Sequence, residues 1–581
     1  MKKLKQLACG LLAAALLVCA LPAAGAEGAG EGQPAPQADG TGAAPVPAAT
    51  DDGYVEWNGT TDLPASGKVR LTADCALEGS PKERKVTVSG ELTLDLAGHT
   101  LGAKTFYDGG QVSFLVPAGS SLTIEDSTGG GIIYTAGNSS VTGGAFAMTG
   151  GTFVGKSKSA LYVTDGGRAS ITGGTVKLSV MGDSYQNAVV TVEDEGSSFA
   201  MSGGSLICES HTKQKGVGLS VGRGASAQVM GGVIESAAAQ GIALYVHGGS
   251  TVEITGGTVR NTGRSGTALF VTTEKLYAGE HRGQASSATI SGNAVVETDG
   301  NVVCAAVKVD SNDNGPSSWV HMDGGTVRNV QAGSAVMVEQ TNPGSYGGQF
   351  VLKGGTVENA GDKAAVNAEG AFRMEGGVLH QTGDAPAVAL SKEYADVEIS
   401  GGQVTAQADM FQMEAGGEPT VSGGVFNKPV TEYVADGTAA VSVEKGGEAV
   451  YAVGGSVAGA VQAAAEGDTV TVLKGDSIEV PDKVTVENKT GKDITVNGVA
   501  VPDDGTLTAH RHSAVHVAAK APTAGQGGNI EYWYCEGCGK YFKDAALTQE
   551  TTAEGVKLPA TGSTPAPAPA PAQKANPKTG V

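Results

Sequence analysis

Near its C-terminal end the chain reads NIEYWYCEGCGKYF, a stretch that sets Cys535 and Cys538 on one tight turn, and His510, His512 and His516 precede it. Two thiolates with the imidazoles of His510 and His512 form the donor set that Zn²⁺ takes in tetrahedral sites. A module of under 50 residues (510–557) has little core of its own and gains from such a staple. The same two cysteines outside a cell can instead close a disulfide. The sequence leaves both readings open.

A second group of chemically capable residues sits in three interruptions of a repeat. The stretch TTEKLYAGEHRGQASS carries Tyr277, Glu280, His281 and Arg282. DSNDNGPSSW carries Asp310, Asn312, Asp313, Asn314 and Trp319, and EQTNPGSYGGQF carries Glu339, Gln340, Asn342 and Tyr346. Amphipathic aromatics among carboxylates and amides suit a partly hydrated ligand such as a glycan. The plain alternative is a set of solvated, tolerated insertions. Residues 310–315, DSNDNG, also match the front half of an EF-hand loop, but His321 occupies the twelfth position, where a bidentate Glu belongs. A Ca²⁺ site there would need another geometry; a solvated turn is the simpler expectation.

What positions these residues is a repeat. EITGGTVRN (253–261) returns as ASITGGTVKL, HMDGGTVRNV, VLKGGTVENA and VEISGGQVTA. The first glycines fall at 150, 173, 203, 231, 256, 324, 354, 376, 401 and 423, with a Gly-Asn variant at 292. A second signature, as in Ala243-Leu244-Tyr245-Val246, travels with the first. From its last residue to the next double glycine, plain repeats need 10 residues (246 to 256), whereas three consecutive ones need 21, 15 and 16 (271 to 292, 309 to 324, 338 to 354). Each repeat thus predicts three short strands separated by glycine turns, with Ile242, Leu244, Val246, Val252 and Ile254 pointing inward. Strands so short must stack on their neighbours to satisfy their backbone groups. The expectation is an all-β parallel β-helix with roughly 22-residue rungs over 54–430. About thirteen rungs at ~4.8 Å each make a rod on the order of 60 Å. The three interruptions fall at one point of the rung, so they emerge on one edge.

Composition fits an array of turns and strands: 581 residues contain 90 glycines, 5% aromatics and 17% charged residues. The net charge of -21 excludes non-specific binding to nucleic acid or to an anionic membrane. MKKLKQ followed by LACGLLAAALLVCALPAA and Ala24-Gly25-Ala26 predicts a cleaved signal peptide (1–26) and no membrane span in the mature chain. Residues 27–53 form a Pro/Ala/Gly-rich spacer. Cys75, Cys208 and Cys304 are expected as buried small hydrophobes. In the Pro/Ala-rich tail (558–581), Leu558-Pro559-Ala560-Thr561-Gly562 fits the sorting pentapeptide LPxTG, and NPKTG (576–580) is a variant of it. This makes peptidoglycan, reached through a sortase, a candidate partner; simple secretion is the alternative.

LTLDLAGHTL, SLTIEDSTGGG and the TGGTV rungs resemble the right-handed β-helix, pectin-lyase-like segments of large secreted proteins of Gram-positive gut bacteria. VSGGVFNKPVTEYVADG resembles the way such arrays end, and AVQAAAEGDTVTVLKG a short β module beside them (431–509). HVAAKAPTAGQGGNIEYWYCEGCGKYFKD is similar to a short repeat of the same proteins, with His512 and the two cysteines matching best. The resemblance implies a right-handed coil and a secreted, surface-associated protein. Pectin-lyase-like folds host lyases and glycosidases, but the polygalacturonase-like series Asn-Thr-Asp, Asp-Asp, Gly-His-Gly and Arg-Ile-Lys does not occur in order. Gly98-His99-Thr100 is the nearest fragment, and His99 is expected as a turn residue. Glu125-Asp126 and Glu193-Asp194-Glu195 are expected as solvated acidic turns. The functional expectation is non-catalytic adhesion or glycan binding, with a host or bacterial surface component as partner. The alternatives are a polysaccharide lyase or glycoside hydrolase, and a structural stalk.

Overall fold

The chain coils through three flat sheets, as the computed structural model shows with every rung between residues 121 and 374 paired in parallel to the next. The structure describes residues 52–562 apart from 79–83, 104–109, 136–138, 156–157, 179–186, 210–214, 274–282, 301, 303, 312–315, 341–346, 415, 511–513 and 537–538. The expected signal peptide, most of the spacer, and the tail with NPKTG lie outside the described residues.

One rung shows the logic. Thr251–Ile254 lies in the first sheet, Thr258–Asn261 in the second and Thr267–Val271 in the third. Val252, Ile254 and Val259 point inward and are buried, while Thr251 and Glu253 face out, as alternation dictates. The equivalent strands of the neighbouring rungs pair residue for residue, for example Thr251 with Ser226 and with Ser287. The third sheet stacks thirteen strands. The protein is a right-handed parallel β-helix, as the resemblance implied.

Both glycines of the repeated pair are needed, for different reasons. A Cβ on Gly173 would lie 2.3 Å from the carbonyl oxygen of Thr149 in the rung before, so only a bare Cα allows the close stacking. Its neighbour Gly174 has φ of 76°, in the left-handed region that favours glycine.

One inward assignment needs correcting. Leu244 and Val246 join the main core, but Ile242 packs in a separate cluster with Ala188, Val217 and Tyr245. The register between these strands skips Ala243, which itself joins the main core. Ala243 and Leu244 both join the main core, so the alternation is broken there and Ile242 falls outside the column.

Buried amides line the coil where the second sheet ends. Asn261 donates to Gly241 O at 2.9 Å and accepts from Gly263 N at 2.9 Å; Asn329 and Asn359 occupy the stacked positions further on. Their side chains satisfy turn backbone that no strand can reach. An Asn261→Leu protein is expected to lose about 1–3 kcal/mol, because a carbonyl and an amide are left buried without partners; denaturant unfolding measures it, and a loss below the error would refute the role.

The coil ends at a change of strand direction. Thr420–Phe426 stacks in parallel on Asp396–Ala406, and Glu448–Val453 then pairs with it antiparallel, Gly424 opposite Val453. Ala440–Lys445, Thr469–Lys474 and Thr485–Asn488 extend this sheet over a second apolar core that includes Val441, Val470 and Val486. An antiparallel cap of this kind covers the edge that a parallel stack leaves open.

The last module is small. Ala514–Val517, Tyr532–Cys535, Tyr541–Phe542 and Glu550–Thr551 form one sheet, and Gly528–Asn529 pairs with Lys557–Leu558. The expected boundary at 557/558 therefore moves: Leu558 is in a strand, and Thr561 N donates to Thr523 O at 3.0 Å. No helix of the described residues is long and apolar enough to cross a membrane.

Candidate functional site

Along eight successive rungs of the first sheet, the outward side chains are mostly small, either hydroxylic or alanine: Ser121 and Thr123, Ala145 and Ala147, then Ser198 and Ala200, with Ser226, Thr251, Ser287 and Thr289 beyond. The inward alternates fill the core, so the outer surface of the sheet is left as a shallow trough. Its volume is about 780 Å³. With ~4.8 Å between stacked strands, seven steps make it on the order of 35 Å long. Arg168, Gln228 and Glu253 project into the trough, and Gln228 donates to Glu253 at 3.2 Å.

Trp319 closes one end. It is the first residue of the strand Trp319–Met322, half-buried, with its ring stacked on that of His321 at a centroid distance of 4.1 Å. Burial, helped by the nearby Lys353 ammonium, pushes the His321 imidazole below its ordinary pKa and favours the neutral ring.

The three interruptions expected on one edge do leave and rejoin the coil at stacked positions. They begin where Thr272, Asp310 and Glu339 donate backbone N–H groups to Val246, Val271 and Val309 of the preceding rung. They end at Ser287, Trp319 and Gln349, which pair in register on the first sheet. Their feet therefore border the Trp319 end of the groove. Tyr277, Glu280, His281, Arg282, Asn312, Asp313, Asn314, Asn342 and Tyr346 lie outside the described residues.

Four of the expected patch residues are described, and two need correction. Trp319 is in a sheet strand rather than in a loop, because its N–H continues the ladder to Ser286 O at 3.1 Å. Asp310 is buried rather than presented to solvent, since the chain has not yet left the coil at that point. Glu339 pairs with Lys308 across the rung at 2.7 Å, and the Gln340 carbonyl accepts from Tyr394 Oη at 3.4 Å.

Among the acidic turns Glu195 is exposed as expected, whereas Glu125, Asp126, Glu193 and Asp194 are only half-exposed. Asp126 accepts from Gly98 N and Gly131 N at 2.8 and 2.7 Å, and Glu125 accepts from Tyr54 Oη at 2.7 Å. Glu193 accepts from Tyr162 Oη at 2.7 Å. These carboxylates tie rungs together, which explains acidic residues at turns without invoking chemistry. His99 is a turn residue, 3.6 Å from Asp74. Cys75, Cys208 and Cys304 are buried and unbridged, and burial pushes the Cys208 thiol up to about 11.

Two features of the coil leave only a faint mark in the sequence. The groove was legible only as small outward residues repeated on the strand before each double glycine. A second set of insertions, at 179–187 and 209–216, lies between the second and third sheets of two consecutive rungs. The long glycine-to-glycine steps of 203−173 = 30 and 231−203 = 28 carry that signal.

Of the expected metal ligands, His510 and Cys535 are described and adjacent, whereas His512 and Cys538 lie outside the described residues. Among the described residues no group of three or more metal-ligating side chains converges. The fold defines the class of protein, a parallel β-helix with a surface groove. Compared with known proteins, the chain matches no family model, no curated protein and no solved structure.

Proposed function

We propose that this is a secreted, non-catalytic binding protein that holds an extended glycan in the first-sheet groove. The observation that carries the reading is the groove itself, with hydroxyls along its floor and a Trp319–His321 stack at one end. The rise between stacked strands is close to the advance of a sugar residue along an extended glycan, so hydroxyl groups recur in step with the ligand. An aromatic ring supplies an apolar face for a sugar ring, while Ser and Thr supply adaptable hydrogen bonds. Adhesion follows if the glycan belongs to a cell surface. The net charge of -21 favours neutral or weakly charged polymers over strongly acidic ones.

Binding is favoured over hydrolysis by the carboxylates. A glycosidase of the common kind sets two carboxyl groups across the scissile bond. Among the described residues lining the groove, Glu253 is the one acid, and Gln228 already holds it.

A panel of neutral and acidic plant and host polysaccharides on a glycan array, followed by calorimetry, tests the reading. Ala200→Trp fills the trough from an outward position without touching the core and is expected to abolish binding. Trp319→Ala is expected to weaken it about ten-fold, the equivalent of losing one aromatic contact of about 1.4 kcal/mol. No binding to any polymer, or binding indifferent to Ala200→Trp, would overturn the proposal. Release of shortened or unsaturated products would turn it toward a lyase or hydrolase.

A further inference from the structure

The outer face of the second sheet carries a column of alternating charge. Glu235, Arg260, Glu297, Arg328 and Glu358 occupy stacked outward positions on consecutive rungs, and His380 follows on the next. Beside them runs a column of β-branched side chains: Val233, Thr258, Val295, Thr326, Thr356 and Val378. Each arginine reaches back one rung. Arg260 Nε donates to Glu235 Oε2 and Arg328 Nε to Glu297 Oε2, both at 2.7 Å. The two arginine side chains still stand 42% and 44% exposed, and Glu358 makes no ion pair among the described residues.

Two further observations set this face apart. The chain as a whole carries a net charge of -21, yet along Glu235, Arg260, Glu297 and Arg328 the charges cancel. Two copies of so acidic a chain repel each other least where each is locally balanced. Among the described residues six large apolar side chains are exposed, and three of them rim this sheet. Met230 precedes the strand Val233–Ser236, while Val302 and Val330 lie in the turns after Val295–Thr298 and Thr326–Asn329. A concavity of about 240 Å³, lined in part by Arg260, Glu297, Asp299, Arg328 and Val330, adjoins the ladder. Apolar side chains gathered at the edge of one flat face mark a contact surface more than a solvated one.

We propose that the second sheet is the interface of a two-fold dimer of this chain. A two-fold axis parallel to the strands, midway between the rungs of Glu297 and Arg328, reverses the order of the rungs and keeps each column opposite itself. It sets Glu297 opposite the partner's Arg328, Arg260 opposite the partner's Glu358 and Glu235 opposite the partner's His380. In the second column it sets Val233 opposite the partner's Val378, and the turns that carry Val302 and Val330 meet. Alternation is what makes the column complementary to its own reversal; a run of one sign would repel. In this register the strands from Ser205–Cys208 to Asp396–Ala406 overlap. About eight rungs at ~4.8 Å, each ~13 Å wide, cover on the order of 500 Å² per copy. That is below the ~800 Å² per partner of a standard stable interface, so the dimer dissociates on dilution. The first-sheet groove lies on another face and stays open, and under the proposed binding role the assembly presents two grooves to one polymer. The dimer itself does not depend on that role.

The test is analytical ultracentrifugation of the full chain, kept reduced, over a dilution series. A reversible dimer is expected. Arg260→Glu and Glu358→Arg each place two pairs of like charges across the axis and should weaken it about ten-fold or more. Glu358→Arg removes no ion pair within the chain, so its effect does not come from a damaged fold. Mixing the two variants is the decisive arm. Each reversed residue then faces the other's reversal, so a heterodimer should form with about the affinity of the parent while neither variant pairs with itself. Lys520→Glu changes net charge as much as Arg260→Glu but lies in the last module, and it should leave the dimer intact. The proposal is overturned if the parent is a monomer at every concentration. It is also overturned if either reversal dimerises as the parent does, or if the mixture forms no heterodimer.

Discussion

An Asp95→Ala protein is expected to lose about 3–5 kcal/mol at neutral pH, the scale for breaking a buried ion pair by removing one partner. Asp95 is 1% exposed and accepts from Arg70 Nε at 2.8 Å, Ser127 N at 2.9 Å, Ser127 Oγ at 2.7 Å and Ala97 N at 3.0 Å. One carboxylate thus joins three consecutive rungs at the start of the coil. Burial on its own would raise its pKa, but the donors from Ser127, Arg70 and Ala97 outweigh it and hold the group below the ordinary carboxylate range. The sign of the pH effect follows. The unfolded chain takes up the proton first as pH falls, so the contribution is complete above the unfolded value of about 3.9 and fades as pH drops through the lower folded value. The first rungs should open in acid below about pH 4, and Asp95→Asn should be less stable at neutral pH with a flatter acid limb. Denaturant titrations at pH 7 and pH 3 supply the comparison; equal stability of Asp95→Asn and the parent at pH 7 would contradict it.

The second large effect is expected in the core beneath the Trp319 end of the groove. Phe350 is fully buried on the rung next to Trp319, stacked between Val320 and Phe372, with ring centroids 6.2 Å apart in the phenylalanine pair. Phe350→Ala should cost about 3–5 kcal/mol, from lost burial and from a cavity that the stacked rungs cannot close. Each rung touches only its neighbours, so the loss should stay local. Hydrogen exchange should rise in strands from Trp319–Met322 to Ala371–Met374 while Arg168–Ile171 keeps its protection. A uniform rise along the coil would refute the local picture. Under the proposed binding role, glycan affinity should fall with it, because the strand that aims Trp319 loses its support.

These expectations rest on features of unequal legibility. The double glycines, the alternation within each strand and the period near 22 residues are local patterns, and they suffice for the parallel β-helix with its buried Val252, Ile254 and Val259. The insertions were legible too, because counting between Val271, Val309 or Val338 and the next double glycine exposes a break in step. Asp310 and Trp319 were misplaced because chain spacing marks where an insertion lies, not the residue at which the backbone leaves the ladder.

What the sequence determined by itself is the rung: which residues turn, which point inward, and how many residues one coil takes. What only the tertiary structure decided is everything that depends on stacking. Thr251 meets Ser226 on one side and Ser287 on the other, 25 and 36 residues away, and the groove exists only when such partners align. Ile242 left the column because Ala243 and Leu244 both join the main core, and Asp482 reached His510 across a module boundary. Local patterning sets a side chain's direction. Register between distant rungs, enforced by backbone hydrogen bonds, sets its neighbours.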